Sequence, residues 1–131
     1  MVTEDYVSFE TAKLLKEKGF DYVSFYCYEE KGINDILLVI LSAPLSNSDL
    51  DNTIEPHKCY SAPSLQMAMK WLREVHKINI EIITYWTKDK SMVYGNRMVC
   101  DATLLKEIDV AYNSYEEACE RAIKYCLENL I

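Results

Sequence analysis

Residues 60–76, YSAPSLQMAMKWLREVH, carry the strongest helical pattern in the chain, and the rest is read outward from them. Pro63 supplies a preset φ and lacks the N–H that a first helical turn leaves unpaired in any case, while Ser61 before it is placed to cap free donors. Leu65, Ala68, Met69, Leu72, Val75 and His76 then recur at helical spacing, which makes one apolar stripe facing a core. Trp71 and Met67 flank that stripe and are read as its rim. On the other side lie Gln66, Lys70, Arg73 and Lys77, a basic stripe in a chain of net charge −7.

Downstream, Ile78, Ile80, Ile82, Thr84 and Trp86 alternate with Asn79, Glu81, Ile83 and Tyr85, a strand with one inner face that places Trp86 in the core. The Lys88-Asp89-Lys90 turn follows it, then strands over 92–100 and 104–112, the first interrupted or turned at Gly95-Asn96. Ser114 with Glu117 three residues on is a capping box for a last helix. Its buried side reads Tyr115, Ala118, Cys119, Ala122, Ile123, Cys126 and Leu130. The C-terminal half is thus helix, three antiparallel strands, helix.

Upstream, Ser8 caps a first helix with Phe9, Ala12 and Leu15 inward, and Gly19 stops it so that Phe20 folds back on Leu15. Residues 22–28 read as a strand with Tyr22, Tyr26 and Tyr28 on one face, which require either a covering layer or a partner. Residues 36–41 are apolar on both faces, which predicts a central strand covered from both sides. The pattern then fades, and 43–59 reads as a mobile loop rich in Ser, Asn, Asp and Pro. The whole is predicted to be a single α+β domain over 1–131, an antiparallel sheet with three helices packed on it.

Composition narrows the function. Half the residues are apolar, ample for a core. No run approaches the ~18 apolar residues of a membrane span, and the acidic, polar start is unlike a secretory signal, so a cytoplasmic location is expected. Five cysteines without zinc or redox spacing suit a reducing compartment; Cys119 and Cys126 read as buried small hydrophobes. Eleven acidic against five basic side chains fall in residues 1–60, and the overall acidity argues against a nucleic-acid partner.

Candidate chemistry is sparse. His57, Cys59 and His76 do not have metal-site spacing, His57 and Cys59 sit too close in a loop to be held as base and nucleophile, and His76 is read as satisfying carbonyls at a helix end. Asp49, Asp51 and Glu55 lack the glycine and later glutamate of a calcium loop. No cofactor is expected, and three glycines leave no room for a phosphate loop.

The motifs SFETAKLLKEKGF (8–20), YSAPSLQMAMKWLREVH (60–76) and SYEEACERAIKYCLENLI (114–131) resemble a group of small bacterial and prophage-borne proteins, and residues 60–131 are similar to the phage ABA sandwich domain. That resemblance implies an α+β fold and a mobile-element setting, and brings no catalytic residues with it. A non-enzymatic protein-interaction module is therefore the leading expectation, with Tyr22, Tyr26, Tyr28, Lys70, Arg73 and Lys77 as the candidate surface and a homodimer as one form of partnership. The alternatives are double-stranded nucleic-acid binding through the 63–77 helix, where Lys70, Arg73 and Lys77 lie, and an enzyme using His57, Cys59 or His76.

Overall fold

The computed structural model describes residues 5–53, 58–100 and 103–131. The fold is α+β, but where the sequence reads as one sheet, the described residues form two three-stranded antiparallel sheets, one in each of two compact units, Met1–Ser64 and Leu65–Ile131. Among the described residues, four helices accompany them rather than three.

In the first unit, helix α1 (Phe9–Glu17) opens as expected on Ser8, whose Oγ accepts the Thr11 N–H at 3.3 Å. It closes at Gly19, which adopts a φ of 90°. The Gly19 N–H donates to the Lys16 carbonyl and the Phe20 N–H to that of Leu15, at 3.1 and 2.9 Å, the paired bonds of a left-handed helix stop. Leu15 and Phe20 are both buried.

The sheet of this unit has the order β2-β1-β3, with β1 at Ser24–Gly32, β2 at Asp35–Leu45 and β3 at Lys58–Ser61. Asn34 takes the left-handed conformation, φ 61°, in the two-residue turn that joins β1 to β2. Two expectations fail here. Residues 36–41 are not central: β2 is an edge strand, and most of its side chains are exposed. Nor is 43–59 a structureless loop, because β2 runs to Leu45, helix α2 occupies Asn47–Thr53 and β3 begins at Lys58. The helix is nucleated by a reciprocal cap: the Ser46 N–H donates to Asp49 Oδ2 at 3.0 Å and the Asp49 N–H to Ser46 Oγ at 3.2 Å. Its one apolar residue, Leu50, is fully buried.

The register places Cys27 opposite both Val39 and Ser61, so these share a face, and Cys27, Cys59 and Leu50 form a small core with Val39, Leu41 and Leu45 against it. On the other face Tyr28 lies between Leu38 and Tyr60. Phe9 of α1 meets Tyr28 and Tyr60 edge-on there, at 5.7 and 5.6 Å. Lys16 fastens the layers: its Nζ donates to Asp51 Oδ1 at 2.6 Å and to the Cys59 carbonyl at 2.9 Å, joining α1, α2 and β3.

In the second unit, helix α3 covers Leu65–Val75, starting later than predicted. Tyr60 and Ser61 pair with Tyr28 and Cys27 instead, since a strand ladder satisfies their backbone groups, and Ser61 does not cap the helix. Leu65, Ala68, Met69 and Leu72 are buried as the stripe requires; Trp71 is buried with them, while Val75 is half exposed. The chain reverses through Lys77, φ 58°, and the Ile78 N–H returns to the Leu72 carbonyl at 3.1 Å.

Strands β4 (Asn79–Trp86), β5 (Met92–Cys100) and β6 (Thr103–Tyr112) form a meander in that order. Gly95 does not interrupt β5: it lies opposite Ile83, and the Tyr85 ring covers it, 2.9 Å from where a Cβ would stand. Helix α4 (Tyr115–Asn129) opens on the Ser114 cap, whose Oγ accepts the Glu117 N–H at 3.1 Å. Ala118, Cys119, Ala122, Ile123, Cys126 and Leu127 are buried, whereas Tyr115 and Leu130, expected on the same side, lie before and after that buried stretch and are exposed and partly exposed. Asn96, fully buried in β5, donates through Nδ2 to the Ala118 carbonyl at 3.0 Å and so ties sheet to helix.

Candidate interaction surface

Strand β2 presents an unusual surface for an edge. From Ile36 to Leu45 it has no charged side chain. Ile36, Leu37, Leu38 and Ile40 are 37, 45, 50 and 72% exposed, and Ile33 in the adjoining turn is 96% exposed. Alternation puts Ile36, Leu38 and Ile40 on one face and Leu37, Val39 and Leu41 on the other. Val23 and Phe25, near the far end of the strand, are each more than half exposed. Among the described residues nothing pairs with the outer edge of β2, so it presents a ladder of open backbone groups with apolar side chains above and below. Edges are ordinarily blunted by lysines, prolines or irregularities. Here one irregularity lies at the turn end, between Glu30↔Ile36 and Gly32↔Asp35, and the other, with Pro44, comes after Ile40, where the register with β1 jumps from Tyr26↔Ile40 to Ser24↔Leu45, so the pairing is regular from Ile36 to Ile40. An open depression of about 740 Å³ adjoins the start of the strand, lined by Phe9, Ile33 and Ile36 with Glu30, Lys31 and Lys58 among its polar groups.

The tyrosines singled out in the sequence are partly covered within the chain. Tyr22 precedes β1 and stacks on Phe20 at 5.7 Å; Tyr26 packs on Tyr6 at 4.3 Å. The Tyr28 hydroxyl donates to the Val7 carbonyl at 2.6 Å. All three are half-buried, and the open apolar surface lies one strand further out.

Lys70, Arg73 and Lys77 are exposed, as the helix pattern requires, but Glu74 stands among them: Lys70 is 4.0 Å from its carboxylate and the Lys77 Nζ donates to its carbonyl at 2.9 Å. A phosphate would have to displace those contacts.

The second unit exposes a smaller aromatic tip. Trp86, expected in the core, is 70% exposed. It shares a face with Ile80 and Ile82, but burial fades along the strand, and beside it Met92 and Tyr85 are also exposed. The Tyr115 ring, in the first residue of α4, meets Tyr94 at 6.1 Å, so the helix covers this face only as far as Tyr94, and Trp86 and Met92 extend past it.

Four of the thiols are buried and held in their protonated form. Burial pushes the thiols of Cys27 and Cys119 up to about 11 and that of Cys126 to about 12. Cys59 is also raised, first by burial and then by Glu29, against a smaller opposing effect of Lys16. A thiol in that state is a poor nucleophile. His57 lies outside the described residues. His76 does not satisfy helix carbonyls as expected; its ring packs edge-on to Trp71 at 4.7 Å, with Nε2 unpaired. Asp49 serves the α2 cap and Asp51 pairs with Lys16. Among the described residues no three histidine, cysteine or acidic side chains gather as a metal-ligand set. No described helix is long and apolar enough to cross a membrane.

Nothing among protein-family models, curated proteins or solved structures matches the chain.

Proposed function

We propose that the protein is a non-enzymatic interaction module that takes up a partner polypeptide by strand addition on the outer edge of β2. The observation that carries this reading is the charge-free, solvent-exposed run from Ile36 to Ile40 on an unpaired edge. Added strands gain affinity from main-chain hydrogen bonds and specificity from alternate side chains. Burying the exposed parts of Leu38 and Ile40 is worth about 1–2 kcal/mol each. Trp86 with Met92 supplies an anchor of the kind interfaces favour on the second unit. The likeness of the three helical motifs to prophage-borne proteins suggests a phage or prophage accessory setting.

A photo-crosslinking amino acid placed at position 40, and at exposed Lys88 as control, tests the reading in the producing cell. Adducts from position 40 that are absent from position 88 support it. If position 40 yields no adduct, docking on this edge is refuted.

A further inference from the structure

Resting on that reading, we infer that the strand β2 accepts is the β2 of a second copy of this chain, laid antiparallel across a two-fold axis through Val39. The edge is self-complementary. A partner strand has to be apolar on both faces over at least five residues and uncharged along the contact, and β2 itself meets both conditions from Ile36 to Leu41. No like charges are opposed when it pairs with its copy, although the unit as a whole is acidic.

A two-fold axis perpendicular to a sheet keeps each face with its own kind, so the faces match across the junction. Centred on Val39, it places Leu38 of one copy opposite Ile40 of the other, twice, and Leu37 opposite Leu41. It leaves Asp35 outside the core of the ladder. It also carries the exposed Ile33 turn of each copy toward the Leu45 end of its mate, near Val23 and Phe25. The seven exposed apolar side chains of this unit together offer on the order of 700 Å² per copy, of which pairing along β2 buries the share carried by Ile36, Leu37, Leu38 and Ile40, so the interface falls below the ~800 Å² per partner of a standard one and is held chiefly by its main-chain ladder. The product is a six-stranded sheet, β3-β1-β2 continued by the second copy's β2-β1-β3, an ordinary size for a sheet.

Sedimentation equilibrium on the purified chain reads the mass directly, and twice the monomer mass is expected. Ile40→Lys and Leu38→Glu should each raise the dissociation constant at least 100-fold. The Leu38→Glu/Ile40→Lys double variant should recover most of that loss, because each new carboxylate then faces a new ammonium across the axis. Circular dichroism reports whether each variant has folded. If the single variants do not fold, a photo-crosslinker at exposed Ser42 in the otherwise unchanged chain replaces them, with adducts expected at Ile36 of the second copy. A chain that stays monomeric at 100 µM while position 40 crosslinks to a different polypeptide overturns self-pairing and leaves the docking edge standing. A monomer with no adduct from position 40 overturns both, and a dimer indifferent to Ile40→Lys overturns this interface.

Discussion

Asn47 Oδ1 accepts the Ser61 N–H at 2.8 Å while its Nδ2 donates to the Phe20 carbonyl, also at 2.8 Å. One buried amide thus joins the stop of α1, the start of α2 and the last strand of the first sheet. Removing it orphans a backbone donor and a backbone acceptor at once. Asn47→Ala is expected to lower stability by about 2–4 kcal/mol, two buried hydrogen bonds at about 1–2 each. Urea unfolding checks this, and a loss below about 0.5 kcal/mol would mean that water replaces both bonds.

Gly19 offers a cleaner measurement of a backbone effect. Its φ is 90°, and no atom lies within 4 Å of where a Cβ would stand. Gly19→Ala therefore creates no clash, and its expected cost of about 1–2 kcal/mol comes from the left-handed conformation alone. Gly19→Asn should cost less, since Asn tolerates that region, as Asn34 does in the β1–β2 turn. Thermal unfolding of the two variants side by side separates them; equal losses would count against this account.

The two tryptophans occupy opposite environments. Trp71 is 2% exposed and Trp86 70%. Acrylamide should quench one emission component strongly and leave the other nearly untouched, and Trp86→Phe should abolish the quenchable, red-shifted one. Uniform quenching of both would contradict the placement of α3.

Alkaline pH should weaken the fold through the buried thiols. Cys27, Cys119 and Cys126 have native values raised from 9.0 to about 11, 11 and 12. Above pH 9 the unfolded chain gives up these protons before the native one does, so the unfolded state binds fewer and stability falls as pH rises. The contribution is fully present below pH 9 and is lost between 9 and about 12. Urea midpoints taken across that window should decline, and less steeply in Cys126→Ala.

Local chemistry was legible in the sequence where it is decided locally. The Ser8 and Ser114 caps, the Gly19 stop and the α3 stripe from Leu65 to Leu72 all depend on residues within a turn or two of one another, and each stands where its pattern places it. The reciprocal Ser46–Asp49 cap could have been found in the same way, but with Leu50 as its single buried apolar residue α2 shows no periodicity around it. Long-range cover was not legible. A run apolar on both faces, such as 36–41, records that both faces need covering without recording what covers them, and in this chain neither face of β2 is fully covered. Trp86 failed for a related reason: alternation assigns it a face, whereas how far α4 extends over that face depends on where the helix starts. The tyrosine pattern likewise records a need for cover without its source: Phe9 of α1 lies against Tyr28 and Tyr60, and an exposed apolar surface begins at Leu38.

The order β2-β1-β3 also bears on synthesis. As the chain leaves the ribosome, the β1–β2 hairpin is complete before β3 has been made, so for a time both of its margins are bare and β1 has neighbours on one side only. Later residues close the β1 margin with four residues of β3, while nothing in the described fold closes the other. On a polysome, neighbouring nascent chains would present the same sticky margin to one another, so yield and inclusion-body formation should respond to translation rate and to charge at position 40 more than to anything in the second unit.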